Sequence, residues 1–231
     1  MSTSDMPRRR AMGRLYVPDE RDRSFPAATV LRESTLRHMQ WWDEGWHGDQ
    51  MYDPHCVAFA WAHYLADGPR PVSVFSSRRP GVNTRDLYCE AQKRDPWPGD
   101  CENPLYDGTS VRAGAKVLKE WGHLSEYRWA FTADEVAQAI LTRGPVIAGT
   151  LWFQGMSYPD RKGIMHVTGS PEGGHAYVLN GVNLDTRLFR IKNSWGRNWG
   201  LSGRAYIGFD SMQTLLDAYG EACVPIQRLP A

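Results

Sequence analysis

Runs free of Gly and Pro alternate along this chain with turn-rich stretches, and the spacing of apolar residues inside each run assigns it. From Cys56 to Asp67 alanine is frequent, and Val57, Ala60, Trp61, Tyr64 and Leu65 recur at helical spacing. Asp53-Pro54 supplies a turn before this run, and Gly68-Pro69 stops it. A second helix is predicted from the cap at Thr109 or Ser110 to Gly122. A third starts at the capping pair Thr132 and Glu135 and ends before Gly144-Pro145. A short helix is expected around residues 85–94, inside a loop region spanning 69–104 that is rich in Pro, Arg and Asp. After residue 144 the pattern becomes β-like. Residues 145–152 read as a buried strand, 158–165 as a surface loop, and 173–182, 189–192 and 205–207 as further strands. Leu184-Asp185-Thr186-Arg187 is a polar, hairpin-like link. Residues 1–23 are polar, charged and expected to be mobile.

Two polar residues bracket the hairpin. His175 opens its first strand and Asn193 closes its second, so antiparallel pairing brings an imidazole beside a side-chain amide. The Asn carbonyl can accept the ring proton and hold one His tautomer. Trp195 and Trp199 follow closely and can keep water off that bond. This is a base with its orienting group, which needs a nucleophile. Cys56 lies in the first turn of the apolar helix, where a helix N-terminus favours a thiolate. By itself, a cysteine in an apolar helix is more commonly a small core residue.

Asn193-Ser194-Trp195-Gly196, followed by Trp199-Gly200 and Gly203, resembles the Asn motif of papain-family cysteine peptidases, and Gly174-His175-Ala176 resembles that family's His motif. Gln50 precedes Cys56 by the spacing at which the family places its oxyanion-donating Gln, and Cys56-Val57-Ala58-Phe59 stands where the family has Cys-Trp-Ala-Phe. Cys56, His175 and Asn193 occur in family order. The resemblance covers roughly residues 24–210. It implies an α+β, two-lobed fold with a helical left lobe (about 24–130), a β-barrel-like right lobe (about 131–231) and the site in the groove between them. It also implies that residues 24–31 form an extended opening strand, and that Gly108-Thr109 pairs with the substrate backbone. Ser110, Val111, Gly149 and Gly174 would line the main side-chain pocket, with Trp195 near the His–Asn pair. Two glycines and no nearby carboxylate predict an open, uncharged pocket preferring bulky apolar side chains over basic ones. Family zymogens carry a much longer pro-segment than residues 1–23, so this chain is expected to lack one or to need none.

The chain departs from the family at the nucleophile. Asp53 replaces the cysteine that usually precedes it by three residues, Pro54-His55 replaces Gly-Ser, and Val57 replaces Trp. Pro54-His55 is expected to narrow or occlude the groove.

Composition adds limits. The 231 residues suit one large domain or two lobes, and 42% hydrophobic with 23% charged residues is ordinary for a globular protein. A formal net charge of +1 gives no field for nucleic acid or membrane binding. No apolar run reaches membrane-spanning length, and no apolar segment follows Arg8-Arg9-Arg10, so a cytoplasmic location with reduced thiols is expected. A Cys89–Cys101 bridge is sterically conceivable but is not the expected state. No His or Cys pair has tight zinc-ligand spacing, so neither metal nor organic cofactor is expected. The implied activity is peptide-bond hydrolysis through a Cys-His-Asn triad and a thioester. The alternatives are transpeptidation or amide ligation at the same site, a catalytically silent papain-like binding protein, and a cell-wall endopeptidase with only a Cys-His core.

Overall fold

The computed structural model describes residues 10–31, 37–75, 81–102 and 105–228. Residues 1–9 of the N-terminal tail, 76–80 and 103–104 of the long loop region, and residues 32–36 and 229–231 lie outside the described residues.

The helical lobe is organised on α1 (Cys56–Asp67), all of whose residues are buried, as its alanine and aromatic content dictates. The helix ends at Gly68, whose N–H reaches Tyr64 O at 2.7 Å. Around it lie a two-residue strand pair, β2 (Val74–Phe75) and β3 (Val82–Asn83), then α2 (Thr84–Gln92) and α3 (Val111–Glu120). Asn83 caps α2, and Ser110 caps α3 by accepting from Ala113 N. The Trp61 indole donates to Val111 O at 3.1 Å, fixing α3 against α1.

The second lobe is a seven-stranded sheet in the order β4-β9-β5-β6-β7-β8, with β1 (Met39–Trp41) added on β6. Its other strands are β4 (Leu124–Ala130), β5 (Val146–Phe153), β6 (Pro171–Asn183), β7 (Leu188–Lys192), β8 (Arg204–Gly208) and β9 (Glu221–Gln227). β6 and β7 pair antiparallel across the expected hairpin. Helices α4 (Ala133–Thr142) and α5 (Phe209–Asp217) complete the lobe, α4 capped by Thr132. The fold is α+β as expected, but among the described residues β4 and β8 do not join to close a barrel.

Four expectations change. The lobe boundary is not a single cut in sequence: Ala27, Leu31 and Trp42 pack into the sheet lobe's core and β1 joins its sheet, while Leu124, Trp129 and Cys223 face the helical core. Residues 24–31 do not form an extended strand; 3-10 turns occupy Glu20–Ser24 and Ala27–Thr29. Cys89 and Cys101 form a disulfide, leaving Cys56 and Cys223 as free, buried thiols. Residues 10–23 are not a mobile tail. They run through the groove, because three ion pairs hold them: Arg10 to Asp49, Arg14 to Glu221, and Asp22 to Arg112.

Candidate active site

The hairpin does what its pattern implies. Lys192 is opposite Val178, which puts Asn193 just past the end of β7 and close to His175 on β6. His175 Nε2 donates to Asn193 Oδ1 at 2.8 Å, and the same oxygen accepts from Ser194 N at 2.8 Å. That bond places the ring proton on Nε2 and leaves Nδ1 as the basic nitrogen. Nδ1 has no hydrogen-bond partner among the described residues. The Trp195 ring is 5.0 Å from the His175 ring and Trp152 is 4.8 Å away, both buried. Trp152, on β5, was not anticipated from the sequence. Trp199 meets Trp152 at a tilt and Trp195 edge-on, and its indole donates to Ser157 O.

Cys56 begins α1, with no solvent exposure. Backbone N–H groups of Ala176, Gly13 and Val57 point at its sulfur. The expectation that the helix N-terminus favours a Cys56 thiolate is not met in this arrangement. Burial pushes the thiol up to about 11, outweighing the three amides, and burial likewise lowers His175 to about 4 against the raising effect of Asn193. A sealed site favours the neutral form of both groups.

The seal is the chain's own N-terminal segment. Residues 10–15 form a strap across the groove. Thr109 N donates to Gly13 O at 2.8 Å, Leu15 N to Thr109 O at 2.9 Å, and Arg14 N to Gly174 O at 3.0 Å. Gly108-Thr109, expected to hold a substrate backbone, and Gly174, expected to line the side-chain pocket, hold the strap. Gln50 was expected to donate to an oxyanion. Its Nε2 donates to the carbonyl of Ala11 at 3.0 Å and to that of Asp53 at 2.8 Å, while Ser194 Oγ donates to its Oε1 at 2.5 Å. Gly13 is the closest approach: a Cβ there would lie 1.9 Å from Pro54 O. The groove is therefore filled by the strap. His55 does not fill it; its ring stacks on Tyr88 at 3.9 Å.

The pocket beside the strap takes the Arg14 side chain. Val111 and Gly149 line it; Ser110 is occupied in capping α3. It is not uncharged, as the sequence suggested: Glu221, at the start of β9, meets Arg14 Nε at 3.0 Å. Nothing local in the sequence marks Glu221, since strand pairing alone brings β9 beside β5. No group of three or more His, Cys, Asp or Glu side chains among the described residues could hold a metal ion.

No protein-family profile matches the chain. Its fold matches xylellain, a cysteine protease from Xylella fastidiosa, with a TM-score of 0.67 at 17% identity, covering 98% of this chain and all of that one. In sequence it is 28% identical over 123 residues to cathepsin B-like cysteine proteinase 3 of Ostertagia ostertagi, half of this chain and 71% of that protein. It is 33% identical over 87 residues to mouse cathepsin O. These sequence relatives and fold neighbours are papain-like cysteine proteases, which supports the resemblance to the papain family. The matched region is 27% of cathepsin O, so that protein's properties do not carry over. The fold, by contrast, is shared over almost the whole chain.

Proposed function

We propose that this papain-like chain hydrolyses peptide bonds with Cys56 as nucleophile, His175 as acid and base, Asn193 as the group that orients His175, and Gln50 with the Cys56 N–H as oxyanion donors. The observation that carries this reading is the chain's own carbonyl at Ala11, which receives the Gln50 amide beside a buried thiol and an oriented imidazole. A peptide carbonyl has a built receptor there.

Catalysis requires the strap to leave. Water and substrate then enter, the burial that raises the thiol is relieved, and the Cys56 proton passes to His175 Nδ1. The thiolate attacks the carbonyl carbon, and the oxyanion is held by Gln50 and the Cys56 amide; one such donor is worth about 10²–10³ in kcat. His175 returns its proton to the leaving amine. Water, deprotonated by His175, then hydrolyses the thioester. The substrate is a peptide or protein.

The filled groove favours one other reading, a silent binding protein. One experiment separates them: mass-spectrometric mapping of iodoacetamide labelling on the full chain and its Gly13→Val variant, with peptide cleavage measured in parallel. Expected are fast labelling of Cys56 ahead of Cys223 and cleavage by Gly13→Val. Cleavage is abolished by Cys56→Ala and reduced less by Asn193→Ala, which only orients the base. Labelled Cys56 without any cleavage supports the silent reading.

A further inference from the structure

The face of α1 that begins with Cys56 continues at helical spacing through Phe59, His63 and Asp67. His63 is wholly buried and takes no part in the chemistry above. Its Nε2 accepts from Gly48 N at 2.9 Å. A backbone N–H can only donate, so Nε2 is the unprotonated nitrogen and the ring is neutral, with its proton on Nδ1. The surroundings oppose a second proton. Burial acts first, and Lys192 on β7 and His47 repel added charge, which holds the ring well below its ordinary pKa. The Asp67 carboxylate is committed to Lys192.

Gly48 lies in the loop of residues 44–50, two residues before Gln50. The backbone of this loop is held at four points. Gly45 N donates to Asp67 Oδ1 at 2.8 Å, Trp46 O accepts from Lys192 Nζ at 2.9 Å, Gly48 N donates to His63, and Gln50 N donates to Ser194 O at 2.8 Å. The approach at the third point needs glycine: a Cβ on residue 48 would lie 2.1 Å from the Trp46 ring and 2.7 Å from the Phe59 ring. The rings of Trp46 and His47 pack against His63, with centres 5.4 and 5.2 Å away.

Resting on the peptidase reading above, we propose that His63 is a positioning residue for the oxyanion hole: through Gly48 it fixes the loop that carries Gln50 to the helix that carries Cys56. The two oxyanion donors, the Gln50 amide and the Cys56 N–H, come from different segments. They act together only while those segments keep one spacing, and a misplacement of about 1 Å costs on the order of 10²-fold in rate. Ser194 ties Gln50 to the strand side of the site through its O and Oγ. His63 supplies the tie on the helix side. Asp67 and Lys192 hold only the start of the loop, at Gly45 and Trp46. Without the His63 acceptor, Gly48 N is buried and unpaired, which favours any shift that brings it to another partner.

The test uses the full-length chain with Gly13→Val, which opens the groove, and compares His63→Gln with His63→Leu. A glutamine carbonyl can accept from Gly48 N, and leucine cannot. His63→Leu is expected to lower kcat for peptide cleavage about tenfold to hundredfold with KM within about twofold, because an oxyanion donor acts in the transition state. His63→Gln is expected to recover most of that loss. Amide hydrogen exchange read by NMR is expected to show Gly48 protection about tenfold lower in His63→Leu and kept in His63→Gln. The proposal is overturned if His63→Leu leaves kcat within about threefold, if its effect falls on KM instead, or if His63→Gln loses as much as His63→Leu. Should His63→Leu fail to fold, His63→Asn, too short to reach Gly48, takes its place. Should Gly13→Val cleave nothing, the peptidase reading falls and NMR alone decides the positioning role. His63→Leu lowering Gly48 protection and shifting the Gln50 side-chain amide resonances then keeps that role, and a change in neither overturns it.

Discussion

Two buried cation–carboxylate pairs flank the groove, and they are built differently. Behind it, Lys192 Nζ meets Asp67 Oδ1 at 2.5 Å with both side chains wholly buried. Asp67 also accepts from Gly45 N and Asn180 Nδ2, and Lys192 donates to Trp46 O as well. Both partners lie in fixed elements, α1 and β7, and their shared contacts hold the 44–50 loop that presents Gln50. In front, Glu221 has one cation, Arg14, and that cation rides on a removable strap. Burial acts on all three titrating partners the same way, raising Asp67 and Glu221 and lowering Lys192. The difference is in attachment. Both members of the rear pair sit in secondary structure, whereas the front pair has its guanidinium on the strap. A buried ion pair can be a clamp or a lock depending on whether one half can leave.

The sharpest way to break this contrast is Lys192→Met. It leaves Asp67 buried without a counter-charge and is expected to cost about 3–5 kcal/mol in denaturant unfolding. A loss under 1 kcal/mol would mean the rear pair is as replaceable as the front one.

Acid comes next. His175 and His47 are lowered to about 4 and His63 well below its ordinary value, each chiefly by burial, with Lys192 adding repulsion at His47 and His63. A base whose folded pKa is depressed stays neutral in the native state while the unfolded chain takes up protons. Stability is therefore complete above pH 6.5 and falls as pH drops towards 4, with His175 alone accounting for about 3 kcal/mol. Unfolding midpoints measured between pH 7 and 4 check this. Gly13→Val, which opens the groove to water, is expected to flatten the His175 share and leave that of His47 and His63.

The Cys89–Cys101 disulfide closes a short loop just before Gly108-Thr109, the segment on which the strap lands. Reducing it, or making Cys89→Ser with Cys101→Ser, is expected to cost about 2–3 kcal/mol. Cys56 labelling should also quicken if Gly108-Thr109 loosens. Unchanged labelling would show that Tyr88 and Gln92, which hydrogen-bond Gly108, hold the segment unaided.

Arg14→Met is the smallest change in stability, about 1 kcal/mol or less, because the strap can lift away and let Glu221 meet water. Its signature is kinetic: faster iodoacetamide labelling of Cys56 with near-native melting. A loss as large as that of Lys192→Met would make the front pair a clamp too.

Much of this was legible along the chain, for local reasons. Gly68-Pro69 and Gly144-Pro145 end helices, Ser110 and Thr132 act through nearby backbone groups, and the 184–187 turn sets the strand register that joins His175 to Asn193. The missed parts are long-range. β4 and β9 pair with each other, and neither was read as a strand from the sequence. The strap reads as a polar tail because its order comes from ion pairs reaching across the fold to Asp49 and Glu221, which no local period encodes. The pocket's charge was misread for the same reason: Glu221 is remote in sequence from every motif that identifies the site. Cys56 was read as ionised because its helix start and its imidazole partner were legible, while the strap that seals both was not.

The hydrogen bond from Gln50 to Ala11 bears on how this molecule would be counted. A reagent that titrates active sites reports only chains whose groove is open at that moment. The titrated fraction would then measure a conformational equilibrium and not the purity of a preparation, and apparent ligand affinities would be weakened by that same fraction. Two samples with identical folded protein but different salt, which screens Arg10 and Asp49, would give different active concentrations.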